Sequence, residues 1–271
     1  MQQLISLVTL VTVLVVGVFL AIGANSGPIV LDVGSWAAPI GITLVADRLS
    51  SLMLVVSQIV TLAVLVYSLA QNLADEDPDV PVAIYHPTYL ILIAGVSNSF
   101  LTGDLFNLYV GFEVFLVASY VLLTLGASPS RVRAGVSYVM VSMVSSMIFL
   151  FALAMVYAAV GTMSLAQIGM RMEDVPSGTR AAIFGTLLVA FGIKAAVFPL
   201  DAWLPDSYPT APSLVTAVFA GLLTKVGVYS IIRMRSVVFT DGSLDGLLMW
   251  VGLATMIVGI LGAMAQNDIK R

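Results

Sequence analysis

Cysteine is absent from the 271 residues, and histidine occurs once, at His86. Without cysteine there can be no disulfide, no thiolate metal site and no cysteine-ligated iron–sulfur cluster. One imidazole cannot supply both ligands of a bis-histidine haem, and His86, in Y-H-P at a helix entrance, reads as a satisfied interfacial residue rather than a ligand or pH sensor. Charge is also scarce, at 10% of the chain, where a soluble domain carries about 25%. The net charge of −4 is spread over connecting loops, which excludes the clustered basic footprint of a nucleic-acid partner. P-loop, Rossmann glycine pattern, H-E-x-x-H and nucleophile elbow are all missing. Chemistry on a soluble substrate is therefore not expected, and no cofactor or metal is implied.

What is present is apolar: 60% of residues are hydrophobic and the mean hydropathy is +1.07. Several runs reach the ~20 residues that cross a bilayer as helix, and the alternating segments of an outer-membrane barrel are absent. The fold class is all-α, a polytopic membrane helix bundle with spans expected at about 4–24, 44–73, 87–101, 105–125, 134–160, 179–198, 213–235 and 247–265. The first is a retained helix, since it lacks a basic leader and further spans follow. Residues 25–41 are rich in glycine and proline and read as an interfacial loop anchored by Trp36. Asp47 and Arg48 read as a snorkelling pair, as do Arg233 and Arg235 at the end of the seventh span. Residues 74–81 form an acidic turn closed by Pro78 and Pro81.

Asp104 is placed to cap the fourth helix. Ser137, Ser142, Ser145 and Ser146 on the fifth are hydroxyls that face neighbouring helices, and the polar stretch from Ser164 to Pro176 lies along the surface. Counting basic residues leaves the orientation open. Arg131, Arg133, Lys270 and Arg271 stand on one side and Arg171, Arg180, Arg233 and Arg235 on the other.

Three ionisable residues fall well inside spans: Glu113, about 12 Å along the fourth helix at 1.5 Å per residue, Lys194 and Lys225. Charges at that depth are costly unless paired or hydrated, and they mark ion or proton paths. Glu113 reads as the partner of an intramembrane lysine. Pro199, five residues after Lys194, is expected to break the sixth helix and free carbonyls beside the ammonium.

The segments G-D-L-F-N-L-Y-V-G-F-E-V-F, F-G-I-K-A-A-V-F-P-L-D-A-W-L-P-D, A-P-S-L-V-T-A-V and L-L-T-K-V-G-V-Y resemble, together and in order, the antiporter-like proton-channel superfamily of respiratory complex I. W-A-A-P-I-G-I-T-L-V-A-D-R-L-S resembles in particular its D-type branch from Mrp multi-subunit sodium/proton antiporters. The resemblance covers almost the whole chain. It implies that Glu113 and Lys194 form the family's ion pair and that Lys225 continues a proton route. Where quinone-reductase relatives often carry a histidine, this chain has Val215–Ala217, so a histidine relay does not carry over. The family fold consists of inverted five-helix repeats. The division implied here is N-terminal helices at 1–86, one five-helix repeat with a proline-broken helix at 87–237, and the first helix of an incomplete second repeat at 238–271. Most of that second repeat and one front helix are missing, which reads as a truncated or split gene product or a fragment. Family topology would make the N-terminus cytoplasmic.

The function implied is that of a subunit of a monovalent cation (sodium)/proton antiporter, in which Glu113, Lys194 and Lys225 relay protons. Its partners would be the other antiporter subunits, the lipid bilayer, protons and sodium or another monovalent cation, with no nucleic acid, and its location a bacterial plasma membrane. Two alternatives stand beside it: a proton-pumping membrane subunit of an NADH:quinone or related oxidoreductase, and a non-transporting fragment or assembly scaffold.

Overall fold

A computed structural model describes residues 1–70, 82–126, 128–242 and 244–266. The acidic turn with Pro78 and Pro81, and the closing N-D-I-K-R with Lys270 and Arg271, lie outside the described residues. Among the described residues, helices α1 (Gln2–Gly23), α2 (Arg48–Ala70), α4 (Leu105–Thr124), α5 (Pro129–Val160) and α7 (Ser177–Ala195), the helical run Ser213–Val237, and α11 (Asp245–Met264) are long and apolar enough to cross a membrane. Between α2 and α4 lies α3 (Val82–Leu101).

α3 starts five residues earlier than its proline would suggest. Pro87 sits inside it near the N-terminal end, where the missing N–H removes only one bond. Its inner face buries Tyr85, Tyr89, Leu92, Val96 and Phe100. The polar far end fits closely against α4: a Cβ on Gly95 would stand 2.7 Å from the Phe115 nitrogen, so only glycine allows the two backbones to approach there. The core lies among α3, α4, α5, α7 and the helical run Ser213–Val237. α11 has no buried residue.

The expected loop at 25–41 and the start of the second span differ from the structure. Ile29–Asp32 (β1) and Thr43–Ala46 (β2) form an antiparallel hairpin, with Ile29 opposite Ala46 and Asp32 opposite Thr43. β-Branched and long aliphatic side chains there suit an extended pair, and Trp36 is exposed in the connection. α2 begins only at Arg48 because Asp47 and Ser50 cap it reciprocally. Ser50 N donates to Asp47 Oδ1 at 2.8 Å, and Asp47 N to Ser50 Oγ at 2.8 Å.

The hairpin is stitched to the corners of the bundle. Gly103 N donates to Thr43 O (2.8 Å), Leu105 N to Met163 O (2.8 Å) and Leu165 N to Gly103 O (2.9 Å). The expected surface segment contributes α6 (Leu165–Met172), which buries Leu165, Ile168 and Met172. One side of the bundle, the hairpin face, is thus a hydrogen-bonded layer.

Asp47 does not pair with Arg48. The Arg48 guanidinium donates to Asn25 O at 3.2 Å, while Arg233 reaches across from the end of the seventh span and grips both carboxylate oxygens of Asp47. Arg233 is 9% exposed, packs over the Tyr229 ring and donates to its hydroxyl at 2.7 Å. It does not snorkel because that bidentate partner satisfies its planar fork inside the protein. Arg235 is also paired, with Asp245.

The sixth span ends at Ala195, four residues before Pro199. Ala196 adopts a left-handed conformation with φ 51°, at a cost of about 1–2 kcal/mol for a residue other than glycine. Val197 N then closes on Gly192 O at 3.0 Å, the bond pattern of a Schellman stop. Phe198 is disfavoured in helix by the proline after it, so the helix stops a turn earlier instead of kinking. Trp203 Nε1 donates to Ile193 O at 3.0 Å and occupies one of the freed carbonyls. After a short helix α8 (Leu204–Ser207) and a 3-10 turn (Tyr208–Thr210), the chain re-enters as α9 (Ser213–Val218). A π-helical turn (Phe219–Leu223) and α10 (Thr224–Val237) complete that span.

Gly227 brings α10 onto α7: a Cβ there would lie 2.7 Å from the Ala195 nitrogen and 2.9 Å from Phe191 O. Gly227→Ala should destabilise the chain by about 1–3 kcal/mol, the usual cost of overpacking. Gly259→Ala, where a Cβ meets nothing within 4 Å, should not. Thermal unfolding in detergent checks both, and equal midpoints for the two variants would rule out this crossing.

Candidate ion-transfer site

α4 is set by its cap: the Asp104 side chain accepts from Asn107 N at 2.8 Å. Burial raises the carboxyl of Asp104 above the ordinary value, against the opposing effect of the hydrogen bonds from Asn107 and Phe106. Glu113 stands two turns into the helix and is partly buried. On α5, Ser142, Ser145 and Ser146 are buried, as positions three and four apart on one helix face should be. Ser137, expected to join them, is exposed instead. Ser145 Oγ donates to Ala190 O at 2.8 Å and pins α5 to α7.

That pin brings Lys194 to α5. Its Nζ donates to Ser142 O at 3.1 Å and to Ser146 Oγ at 3.4 Å, while Ser146 Oγ donates to Glu113 Oε1 at 2.5 Å. A single hydroxyl therefore joins the carboxylate of α4 to the ammonium of α7. Lys194 is 8% exposed, and two features offset the cost of its charge: Glu113 beyond the serine, and its place in the last turn of α7, where helix carbonyls present the negative end of the dipole. Sequence reasoning does not reveal the bridging role of Ser146. The one available signal is the recurrence of serine on one face of an otherwise apolar helix.

Lys225 is not brought to this pair. Its ammonium lies on an exposed part of the span and is bonded to Ala220 O inside the π turn, and to Thr224 Oγ1 at 3.3 Å. π turns insert an extra residue into a helix and so re-aim the side chains beyond them, often at functional sites. No periodicity in A-G-L-L-T-K announces that insertion. Pro199 lies in the interruption after α7, beyond the left-handed Ala196. His86, expected at the interface, is 1% exposed and shares a 3.1 Å hydrogen bond with Ser6 Oγ.

The surroundings of the pair differ along the membrane axis. Toward the hairpin face, Phe112, Phe149 and Phe191 pack together, with centroids of Phe149 and Phe191 4.8 Å apart in edge-to-face contact. These three rings present no polar atom to the pair. Toward α8 the rings are Tyr138, Trp203 and Tyr208, which carry polar atoms. What the arrangement can do is hold a proton between a carboxylate and an amine through a hydroxyl that both donates and accepts.

The chain is similar to several known proteins. The chain is 38% identical over its full length to the D-type Na(+)/H(+) antiporter subunit of Alkalihalophilus pseudofirmus, covering 55% of that protein. It is 36% identical over 89% of its length to the D-type Na(+)/H(+) antiporter subunit of Bacillus subtilis, covering 49% of it. Among solved structures, it superposes on a chain of the Mrp complex from Dietzia sp. DQ12-45-1b with a TM-score of 0.87 and 34% identity, covering 98% of this chain and 49% of that one. It superposes equally, with a TM-score of 0.87 and 25% identity, on a chain of the membrane-bound sulfane sulfur reductase, an archaeal respiratory membrane complex, covering 99% of this chain and 55% of that one. The chain thus spans about half the length of the curated relatives it matches. Residues 102–271, which include Glu113, Lys194 and Lys225, match the family model described as NADH:quinone oxidoreductase/Mrp antiporter, transmembrane. By this match, which covers more than half of its length, the chain belongs to the NADH:quinone oxidoreductase/Mrp antiporter transmembrane family.

Proposed function

We propose that this chain forms the proton-handling part of the D-type component of a multi-subunit sodium/proton antiporter in a bacterial plasma membrane. The observation that carries the reading is the Glu113–Ser146–Lys194 bridge, which spans three helices of the five-helix unit at 87–237. A carboxylate and an ammonium joined through one hydroxyl can exchange a proton without either charge meeting lipid. Lys225 would extend the route from the π turn, and Pro199 would hold the interruption after α7 open. The other antiporter subunits, the bilayer, protons and sodium or another monovalent cation are its partners.

The reading is tested in inverted vesicles carrying the complete gene cluster, by sodium-dependent proton flux. Glu113→Gln keeps a hydrogen-bond acceptor for Ser146 but removes the charge, and should lower flux by about 100-fold, the lower range for loss of a positioned proton-transfer group. Full flux with assembled Glu113→Gln would transfer the chain to the scaffold class.

The equal superposition on the respiratory sulfur-reductase complex favours a second reading, a proton-translocating subunit powered by redox chemistry elsewhere in its complex. Proton flux that requires an electron donor and ignores sodium would select it.

A further inference from the structure

Lys194 carries three N–H donors, of which two are spent on Ser142 O and Ser146 Oγ. Against Lys194, on the α8 side, is a small void of about 10 Å³ lined by Lys194, Ser142, Tyr138, Trp203 and Tyr208 together with apolar side chains. That is room for about one water, which needs at least two polar partners. The third N–H of Lys194 is available to be one of them.

The lining can be sorted by what is already engaged. Tyr138 Oη is bonded to Ser119 Oγ at 3.0 Å, and Trp203 Nε1 to Ile193 O at 3.0 Å. Tyr208 is different: it is 4% exposed, and among the described residues its hydroxyl has no hydrogen-bond partner. Burying a hydroxyl unsatisfied is costly, and such a group in a native interior commonly marks a bound water. Burial, with Tyr138 alongside, also pushes the Tyr208 phenol well above its ordinary value, so it stays neutral and can both donate and accept. Ser207 Oγ, on the preceding residue, is likewise buried without a partner among the described residues.

We propose that one water molecule occupies this void and bridges Lys194 Nζ to Tyr208 Oη, which makes Tyr208 the positioning residue for proton exchange between Lys194 and the α8 side of the bundle. The void lies on the side of the polar rings and not on that of Phe112, Phe149 and Phe191. Tyr208 holds the water where it can take a proton from the ammonium and release one toward α8. The inference rests on the transport reading above.

The test uses the complete complex in vesicles, with Tyr208→Phe and Lys194→Ala measured side by side for flux and for its solvent deuterium isotope effect. Phenylalanine keeps the ring contacts with Tyr138, Trp203 and Phe219 and removes only the hydroxyl. Flux should fall about tenfold, the effect of losing one buried hydrogen-bond partner, with an altered isotope effect that a packing change alone would not produce. Wild-type flux and isotope effect in Tyr208→Phe, with Lys194→Ala inactive, would overturn the water bridge and leave the transport reading standing. Full flux in Lys194→Ala would instead overturn the reading beneath it. Should Tyr208→Phe not assemble, a map of the unmodified complex that resolves ordered waters decides: density within hydrogen-bond reach of both atoms supports the bridge, and an empty void refutes it.

Discussion

Lys194→Arg is expected to lose sodium-dependent proton flux by about 100-fold or more, although it keeps the positive charge. A lysine that relays protons must release one, and a guanidinium effectively never does. It is also planar and longer, so it cannot reproduce the two bonds to Ser142 O and Ser146 Oγ. Lys194→Ala should fail equally, since it removes the carrier outright, whereas Ser146→Ala should fall between, because Lys194 and Glu113 remain without the hydroxyl that joins them. Each of these variants leaves the Glu113 carboxylate without its partner, a loss that costs stability, so assembly is scored together with flux for every one of them. The arginine variant is the sharper test. Were it to transport normally, Lys194 would be acting as a fixed positive charge, and the proton would have to travel by other groups. Comparing flux per assembled complex for these variants separates carrier from fixed charge.

Arg233→Met is expected to destabilise the chain by about 2–3 kcal/mol, less than the loss of one partner from a fully buried ion pair, because the Asp47 carboxylate left behind is only partly buried. The guanidinium joins the hairpin face to α10 through both oxygens of Asp47, and its loss also loosens the Tyr229 hydroxyl, which donates to Phe100 O at 2.6 Å. Removing both partners together, as Asp47→Asn with Arg233→Met, should recover part of the loss, because no buried charge is then left alone.

The same pair predicts an acid dependence. Burial alone would raise the Asp47 carboxyl, but the hydrogen bonds and charge of Arg233, with those of Ser50, outweigh it and hold the group at about 2, below its ordinary 3.8. A carboxyl lowered on folding contributes stability that is present above its unfolded value and lost as the pH falls through the folded one. The contribution should therefore be complete at about pH 5 and decline between about pH 4 and pH 2. In Asp47→Asn this contribution is gone, and the decline over that range should be shallower than in the unsubstituted chain. Unfolding midpoints in detergent across that range decide it, and parallel profiles for the two proteins would show that the pair adds nothing.

Much of this protein is legible from the residues. The apolar runs require a helical bundle, because a backbone in hydrocarbon must satisfy its own hydrogen bonds. Asp104 can be named as a cap because only a short side-chain acceptor before a helix can reach its free N–H groups. Glu113 can be named as the partner of an intramembrane lysine because apolar spans so seldom contain charge, although the residues alone leave Lys194 and Lys225 both open. Each of these comes from short-range rules or from the solvent.

Tertiary contact supplies the rest. Ser146 resembles the other serines of its helix until α7 crosses α5 and sets Lys194 against it. Asp47 has Arg48 beside it in sequence yet binds Arg233 from 186 residues away, since the geometry of a bidentate pair outweighs proximity along the chain. Lys225 looks as deep as Lys194 along the sequence, but the π turn before it places it on an exposed part of its span. The hairpin forms because two short extended segments are brought together by the helices on either side. Which segments are apolar enough to cross a membrane, and which of their residues carry charge, is written in the chain itself, because lipid imposes that selection on every residue separately. Which of those charges meet is settled by the folded bundle, because it depends on how helices cross and turn, and no single helix carries that information.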